Sequence, residues 1–168
     1  MRNACRKGEH ILKYADFVQP DLETWLKKFH FSVLINPRYS ETDMSGHINN
    51  VSYFIYFEQG RVDYFSHLDV SKDLFNEKTV GVTADLECQY LQQSYLRDKL
   101  RLYVRTARLG RSSFDLEYAL VEETTGQLKA TGRGAMVHID RASGRSCPIP
   151  DAAREKILAF EGASLQPA

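Results

Sequence analysis

The chain is poor in the residues that mark several specialised classes. Its three cysteines, Cys5, Cys88 and Cys147, are an odd number at wide spacing and include no C-x-x-C. No disulfide framework is expected, and a reducing, cytoplasmic setting suits them better. Five histidines, at positions 10, 30, 47, 67 and 138, show no H-E-x-x-H or other ligand spacing, so no metal site is expected. Neither sign of charge is in excess: Lys plus Arg equals Asp plus Glu at 22 each, which leaves no basic field for nucleic acid. No apolar run approaches the roughly 18 residues of a membrane span. Arg2, Arg6 and Lys7 precede no apolar stretch long enough for a secretory signal, and Glu9 and Asp16 count against an organelle transit peptide.

What is there reads as a globular protein. At 168 residues, 43% hydrophobic and 26% charged, the chain can bury one sizeable core. Residues 1–20 read as a flexible N-terminal arm and residues 21–168 as a single domain. Leu22, Trp25, Leu26 and Phe29 fall at i, i+3, i+4 and i+7, one stripe of a short helix, with Asp21 placed to cap it. Alternation over 29–39 predicts a strand whose Pro37 belongs at an edge or bulge.

From Asn50 to about His67 the period changes. Apolar residues leave little polar face, which predicts a helix surrounded by protein. Gly60 lies inside it at a cost of about 1 kcal/mol against alanine, a cost explained by close approach of a sheet. Period two then returns. Val80, Val82, Ala84, Leu86, Cys88 and Tyr90 are expected on one face of a strand over 80–90. Strands over 99–109 and 113–121 follow, then a fifth over about 127–140 after the T-T-G turn. If Leu102 and Leu116 share a face, paired residues have an even index sum and the hairpin loop an odd length, most simply three residues including Gly110. Arg105 then faces Glu117 or Asp115, worth a few tenths of a kcal/mol if exposed. A closing helix is expected from about Asp151 to Phe160. This order predicts an α+β fold, a curled five-stranded antiparallel sheet around one long helix.

The most informative segment is Asp43 to Asn50, D-M-S-G-H-I-N-N. It sets a carboxylate, a glycine turn and a histidine before the buried helix, whose first N–H groups have no intrahelical partner. Such an arrangement can polarise an ester-like carbonyl and promote attack on it.

With that segment in place, the chain resembles the hotdog-fold acyl-CoA thioesterases of the 4-hydroxybenzoyl-CoA thioesterase type. The likeness runs from about Phe31 to Lys156. It is strongest in R-Y-S-E-T-D-M-S-G-H-I-N-N-V-S-Y-F-I-Y-F-E-Q-G-R, with weaker matches in G-R-S-S-F at 110–114 and S-G-R-S-C-P-I-P at 143–150. The resemblance implies hydrolysis of an acyl-CoA without metal or cofactor. It also implies homodimers, or homotetramers built as dimers of dimers, with active sites at subunit interfaces. The family's catalytic aspartate falls on Asp43, acting as general base toward water or as nucleophile, and its helix amide falls near Asn50 as oxyanion donor.

Each residue also has a plainer role. Asp43 interacts favourably with a helix dipole. Asn49 and Asn50 can cap the helix, and His47 can fasten the loop or orient Asp43. Glu58, the rival acid on the helix, can pair with Arg61 at i+3. Tyr53, Phe54, Tyr56 and Phe57 are core residues that could also line an acyl pocket. Arg108 and Arg111 flank a hairpin tip, and the resemblance places CoA phosphate contacts there, Arg111 the closer match.

Three competing functions follow from the same residues. An R-specific enoyl-CoA hydratase resembles D-x-N-P-x-H, whereas Asp43 and His47 lie four apart with no proline. A non-catalytic acyl-CoA binding protein needs an output module, for which residues 1–28 look too short. An acyl-carrier-protein thioesterase would use the same site.

Overall fold

The computed structural model describes residues 14–166. After a short helix α1 (Leu22–Leu26) come strand β1 (Phe31–Ile35), a 3-10 turn (Tyr39–Glu41) and the long helix α2 (Asn50–His67). The one-turn helix α3 (Ser71–Leu74) leads into β2 (Thr79–Tyr90), β3 (Leu100–Leu109), β4 (Ser113–Glu122) and β5 (Gln127–Asp140). Helix α4 (Asp151–Glu161) closes the domain. The five strands form one antiparallel sheet in the order β1-β3-β4-β5-β2, as expected for the hotdog α+β fold. Among the described residues no helix is long and apolar enough to cross a membrane.

Helix α2 lies across the concave face of the sheet, and Gly60 marks the point of closest approach. A Cβ there would overlap Leu102 Cδ2 and come within 3.1 Å of Val104 Cγ2. Tyr53, Tyr56, Phe57, Tyr64 and Phe65 fill the space between helix and sheet. Phe57 stacks on Tyr118 of β4 at 4.6 Å between centroids. Gly132 makes that possible, because a Cβ on it would overlap Phe57 Cε2 and lie 2.8 Å from Cζ.

Several expectations need correction. Helix α2 is not surrounded within one protomer: Val51, Ile55 and Val62 are 59%, 48% and 51% exposed and form a bare apolar stripe. The first strand is shorter than 29–39, because Phe29 turns under the sheet to meet Trp25 edge-on at 4.8 Å. The single face assigned to β2 is split by a bulge between Thr83 and Asp85. Gly81, which contacts core Met136, lies on the same side as Leu86 and Cys88, and Val80 and Val82 take the other.

The β3–β4 register does have the expected even sum, with Arg105 opposite Glu117, until a bulge between Thr106 and Arg108 shifts it near the tip. Residues 110–112 form the loop. The pair is nevertheless buried, Arg105 at 0% and Glu117 at 2%. Helix α1 covers that outer face: Glu117 accepts from Trp25 Nε1 at 2.6 Å and from Arg105 Nε at 2.9 Å, and the guanidinium lies over Phe29. Asp21 caps α1 as expected, accepting from Thr24 N–H at 2.9 Å. Residues 1–13 of the expected arm lie outside the described residues. Val18 is buried in the Trp25 cluster, and Ala15 N–H donates to Gln89.

Candidate active site

The segment from Thr42 to Ile48 is a closed loop whose geometry follows from its residues. Thr42 and Ile48 form a β-bridge, Asp43 N–H donates to the His47 carbonyl at 2.8 Å, and Gly46 N–H donates to the Asp43 carbonyl at 3.0 Å. Gly46 takes φ +77°, a left-handed conformation natural to glycine. The Asp43 side chain closes an Asx turn: its Oδ1 accepts from Ser45 N–H at 2.8 Å and His47 N–H at 3.3 Å. Asp43 Oδ2 has no partner among the described residues.

Helix α2 begins directly after this loop. Asn49 is the N-cap, its Oδ1 accepting from Ser52 N–H at 2.9 Å and Ser52 Oγ at 3.1 Å. The amides of Asn50 and Val51 are in the first turn, where no intrahelical acceptor exists, and no described residue accepts from them. Asp43, His47, Ile48, Asn50 and Tyr53 line a cleft of about 310 Å³, with Tyr90 to Gln93 as the far wall. The cleft thus combines an exposed carboxylate with the start of α2, where Asn50 lines it and the free amides of the first turn begin.

The other side chains of the cleft are held in place. Tyr53 donates to Ser94 Oγ at 3.0 Å, and burial raises its phenol pKa above the ordinary value. Tyr90 donates to the Asn50 carbonyl at 2.9 Å and stands edge-on to Tyr53; burial and nearby Cys88 push its phenol up to about 12. Burial also pushes the Cys88 thiol up to about 12, which disfavours thiolate chemistry there. The His47 ring packs edge-on against Tyr95 at 5.1 Å, and its link to Asp43 is through the backbone. Tyr90 to Gln93 carry no motif, and only their place at the end of β2 brings them here.

The remaining candidates lie elsewhere in the protomer. Glu58 lines a separate cavity of about 480 Å³ with Arg61, Val62, Phe65, Phe75 and Met136, among others. It forms no ion pair with Arg61 among the described residues. Arg111 borders a depression with Pro148, Ile149 and Arg154, and Arg108 is exposed on β3 opposite Asp115. That hairpin is at the far end of α2 from Asp43: Phe65, near the helix C-terminus, contacts Phe114 at the hairpin base, whereas Tyr53 contacts Tyr90. An 18-residue helix spans about 27 Å, so one protomer does not join Arg111 to the Asp43 cleft.

Cys147 and His138 are 3.4 Å apart, the spacing of a nucleophile and its base. The Pro148 carbonyl is 2.9 Å from the same Nδ1, which must therefore carry the proton and cannot take one from sulfur. No cluster of three or more metal-type ligands occurs among the described residues.

The strand order, with α2 packed on the sheet and a cleft lined by Asp43 and Asn50 where that helix begins, defines a protein of the hotdog class. The model of the thioesterase-like superfamily matches residues 37–157, and the chain belongs to that family as a thioester hydrolase. It is 37% identical to the uncharacterized protein YsmA of Bacillus subtilis (strain 168), covering 88% of this chain and 98% of that one. A thioesterase of Thermus thermophilus, solved with coenzyme A and Zn, is 32% identical with a TM-score of 0.70, covering 84% of this chain and 99% of that chain. A predicted thioesterase of Bacillus stearothermophilus is 32% identical with a TM-score of 0.69, covering 82% and 98%.

Proposed function

We propose that this enzyme hydrolyses an acyl-CoA thioester, in the manner of the 4-hydroxybenzoyl-CoA thioesterase type, with Asp43 carrying the chemistry. The observation behind this reading is that Asp43, whose Oδ2 is free, and Asn50, whose amide is open at the helix start, line one cleft. The thioester carbonyl oxygen would accept from those amides, where negative charge develops in the transition state. Water attacks the carbonyl carbon as Oδ2 takes its proton, or Oδ2 attacks directly and water later opens the anhydride. In the first route the tetrahedral intermediate breaks its C–S bond and the proton held by Asp43 passes to the departing thiolate. In the second the thiolate leaves as the anhydride forms and takes its proton from solvent, and attack of water on the anhydride returns the Asp43 carboxylate. The coenzyme A bound to the Thermus thermophilus relative supports CoA as the carrier over an acyl-carrier protein.

The working unit in this reading is a homodimer, alone or paired into a dimer of dimers. The bare stripe of Val51, Ile55 and Val62 runs along α2 between the two edge strands, Ile55 lining a pocket with Leu34 and Ile35 of β1 and Val62 one with Gly81 and Thr83 of β2. A two-fold pairing through that stripe that set two α2 helices antiparallel would bring each 110–112 hairpin toward the other copy's Asp43 cleft. Arg111, and beside it Arg108, would then contact CoA phosphates across the interface, where a guanidinium fork suits phosphate.

The test is thiol release from a panel of short, long and aromatic acyl-CoAs. Asp43→Asn should lower kcat at least about 100-fold, the scale of a lost acid–base group. Full activity in Asp43→Asn, with Glu58→Gln inactive, would move the chemistry to α2. Inertness toward every acyl-CoA would end the acyl-CoA reading.

A further inference from the structure

Residue Glu41 is acidic, only 8% exposed, and takes no part in the chemistry above. Its carboxylate Oε2 accepts from Arg38 N–H at 2.7 Å and from the Tyr56 phenol at 2.7 Å. Its backbone carbonyl accepts twice from Asn49, from N–H at 2.8 Å and from Nδ2 at 3.0 Å. These four bonds meet from three directions: Arg38 at the start of the 3-10 turn, the second turn of α2 and the α2 N-cap. We infer that Glu41 is the positioning residue of the active site, the clasp that fixes the Asp43 loop against the helix amides. The inference rests on the Asp43 reading and deepens it.

Glu41 and Asn49 bracket the loop on either side of the Thr42–Ile48 bridge. Whatever holds those two residues sets where Asp43 sits relative to the amides of Asn50 and Val51. The Asn49 side chain is committed at both ends, its nitrogen to Glu41 and its oxygen to Ser52. The Glu41 carboxylate anchors this assembly to Tyr56, whose ring is locked in the core at 4% exposure. A carboxylate suits the junction because it accepts from two donors on one oxygen with no proton of its own in the way. Loss of the clasp would leave the domain folded but let the acid and the amides drift, and a shift of about 1 Å can cost about 100-fold in rate.

The experiment compares Glu41→Ala, Glu41→Gln and Tyr56→Phe with the wild type. Glu41→Ala should lower kcat about 10- to 100-fold with KM changed less than about threefold. Glu41→Gln, which keeps an acceptor oxygen, should recover most of the loss, and Tyr56→Phe should fall between. In the Asp43→Asn background Glu41→Ala should have no further effect, because it acts through Asp43. Hydrogen exchange gives a readout independent of turnover: amides of 42–52 should exchange faster in Glu41→Ala while the β3–β4 strands stay protected. Unchanged exchange in 42–52, or a full kcat in folded Glu41→Ala, overturns the inference. A wild type inert on all thioesters, with faster exchange in Glu41→Ala, would defeat the acyl-CoA reading alone and leave the clasp standing.

Discussion

Gly60→Ala sets two known effects against each other. In an exposed helix the substitution would stabilise by about 1 kcal/mol, because glycine gives up more backbone freedom than alanine. Here the added Cβ would overlap Leu102 Cδ2 and lie 3.3 Å from Leu102 Cγ and 3.1 Å from Val104 Cγ2. Both side chains are 0% exposed, so neither can swing into solvent. Overpacking of this kind costs about 1–3 kcal/mol, so the net expectation is a loss of about 1 kcal/mol. In a domain of this size that lowers Tm by about 2–4 °C. Thermal and urea unfolding followed by circular dichroism would measure it. The mechanism makes a sharper demand: in a Leu102→Ala background the overlap with Leu102 is gone and only the tight approach to Val104 remains, so Gly60→Ala should change sign and become stabilising, by less than about 1 kcal/mol. A higher Tm for Gly60→Ala alone, or the same sign in both backgrounds, would refute the close-approach account.

The buried outer-face network predicts that Glu117→Ala costs about 3–5 kcal/mol in urea unfolding, because it strands the Arg105 charge under α1. A loss below about 1 kcal/mol would mean that water reaches the pair. Burial pushes the Tyr118 phenol up to about 12, so the fold favours its neutral form. That stabilisation, about 3 kcal/mol, should be present below the unfolded-state pKa near 10 and be lost as pH rises from 10 to 12, which denaturation midpoints across that range would show. Hydrogen bonds from Thr125 and Thr124 hold the Glu122 carboxyl down at about 2, so the β4–β5 turn should lose stability as pH falls from about 4.5 toward 2. If the second copy's Arg111 holds CoA phosphates, Arg111→Ala should raise KM far more than it lowers kcat, and the KM of wild type should climb with salt. An unchanged KM would return that arginine to solvent.

Much of the architecture could be read from local patterns. The bounds of α2 at Asn50 and His67 follow from a change of period and a strong N-cap, both properties of neighbouring residues. That Arg105 faces Glu117 or Asp115 follows from parity alone, since side chains alternate along a strand, and the structure selects Glu117. The bulges after Thr83 and Thr106 were not legible, because a bulge is settled by which partner the strand finds. Nor was the burial of Arg105 and Glu117, because Trp25, the residue that covers them, is 92 positions from Glu117.

The candidate site divides in the same way. Asp43, Gly46, Asn49 and the helix start are contiguous, so the sequence by itself determined an acid held in a glycine turn at a capped helix N-terminus. Only the tertiary structure decided what faces it. Folding brought Tyr90 to Gln93 across from Asp43, and placed Glu58 in a different cavity and Arg111 at the opposite end of α2. Short-range hydrogen bonds and φ preferences are written residue by residue. The far wall of a cleft depends on how a sheet curls around a helix, and that is decided by the packing of the whole core.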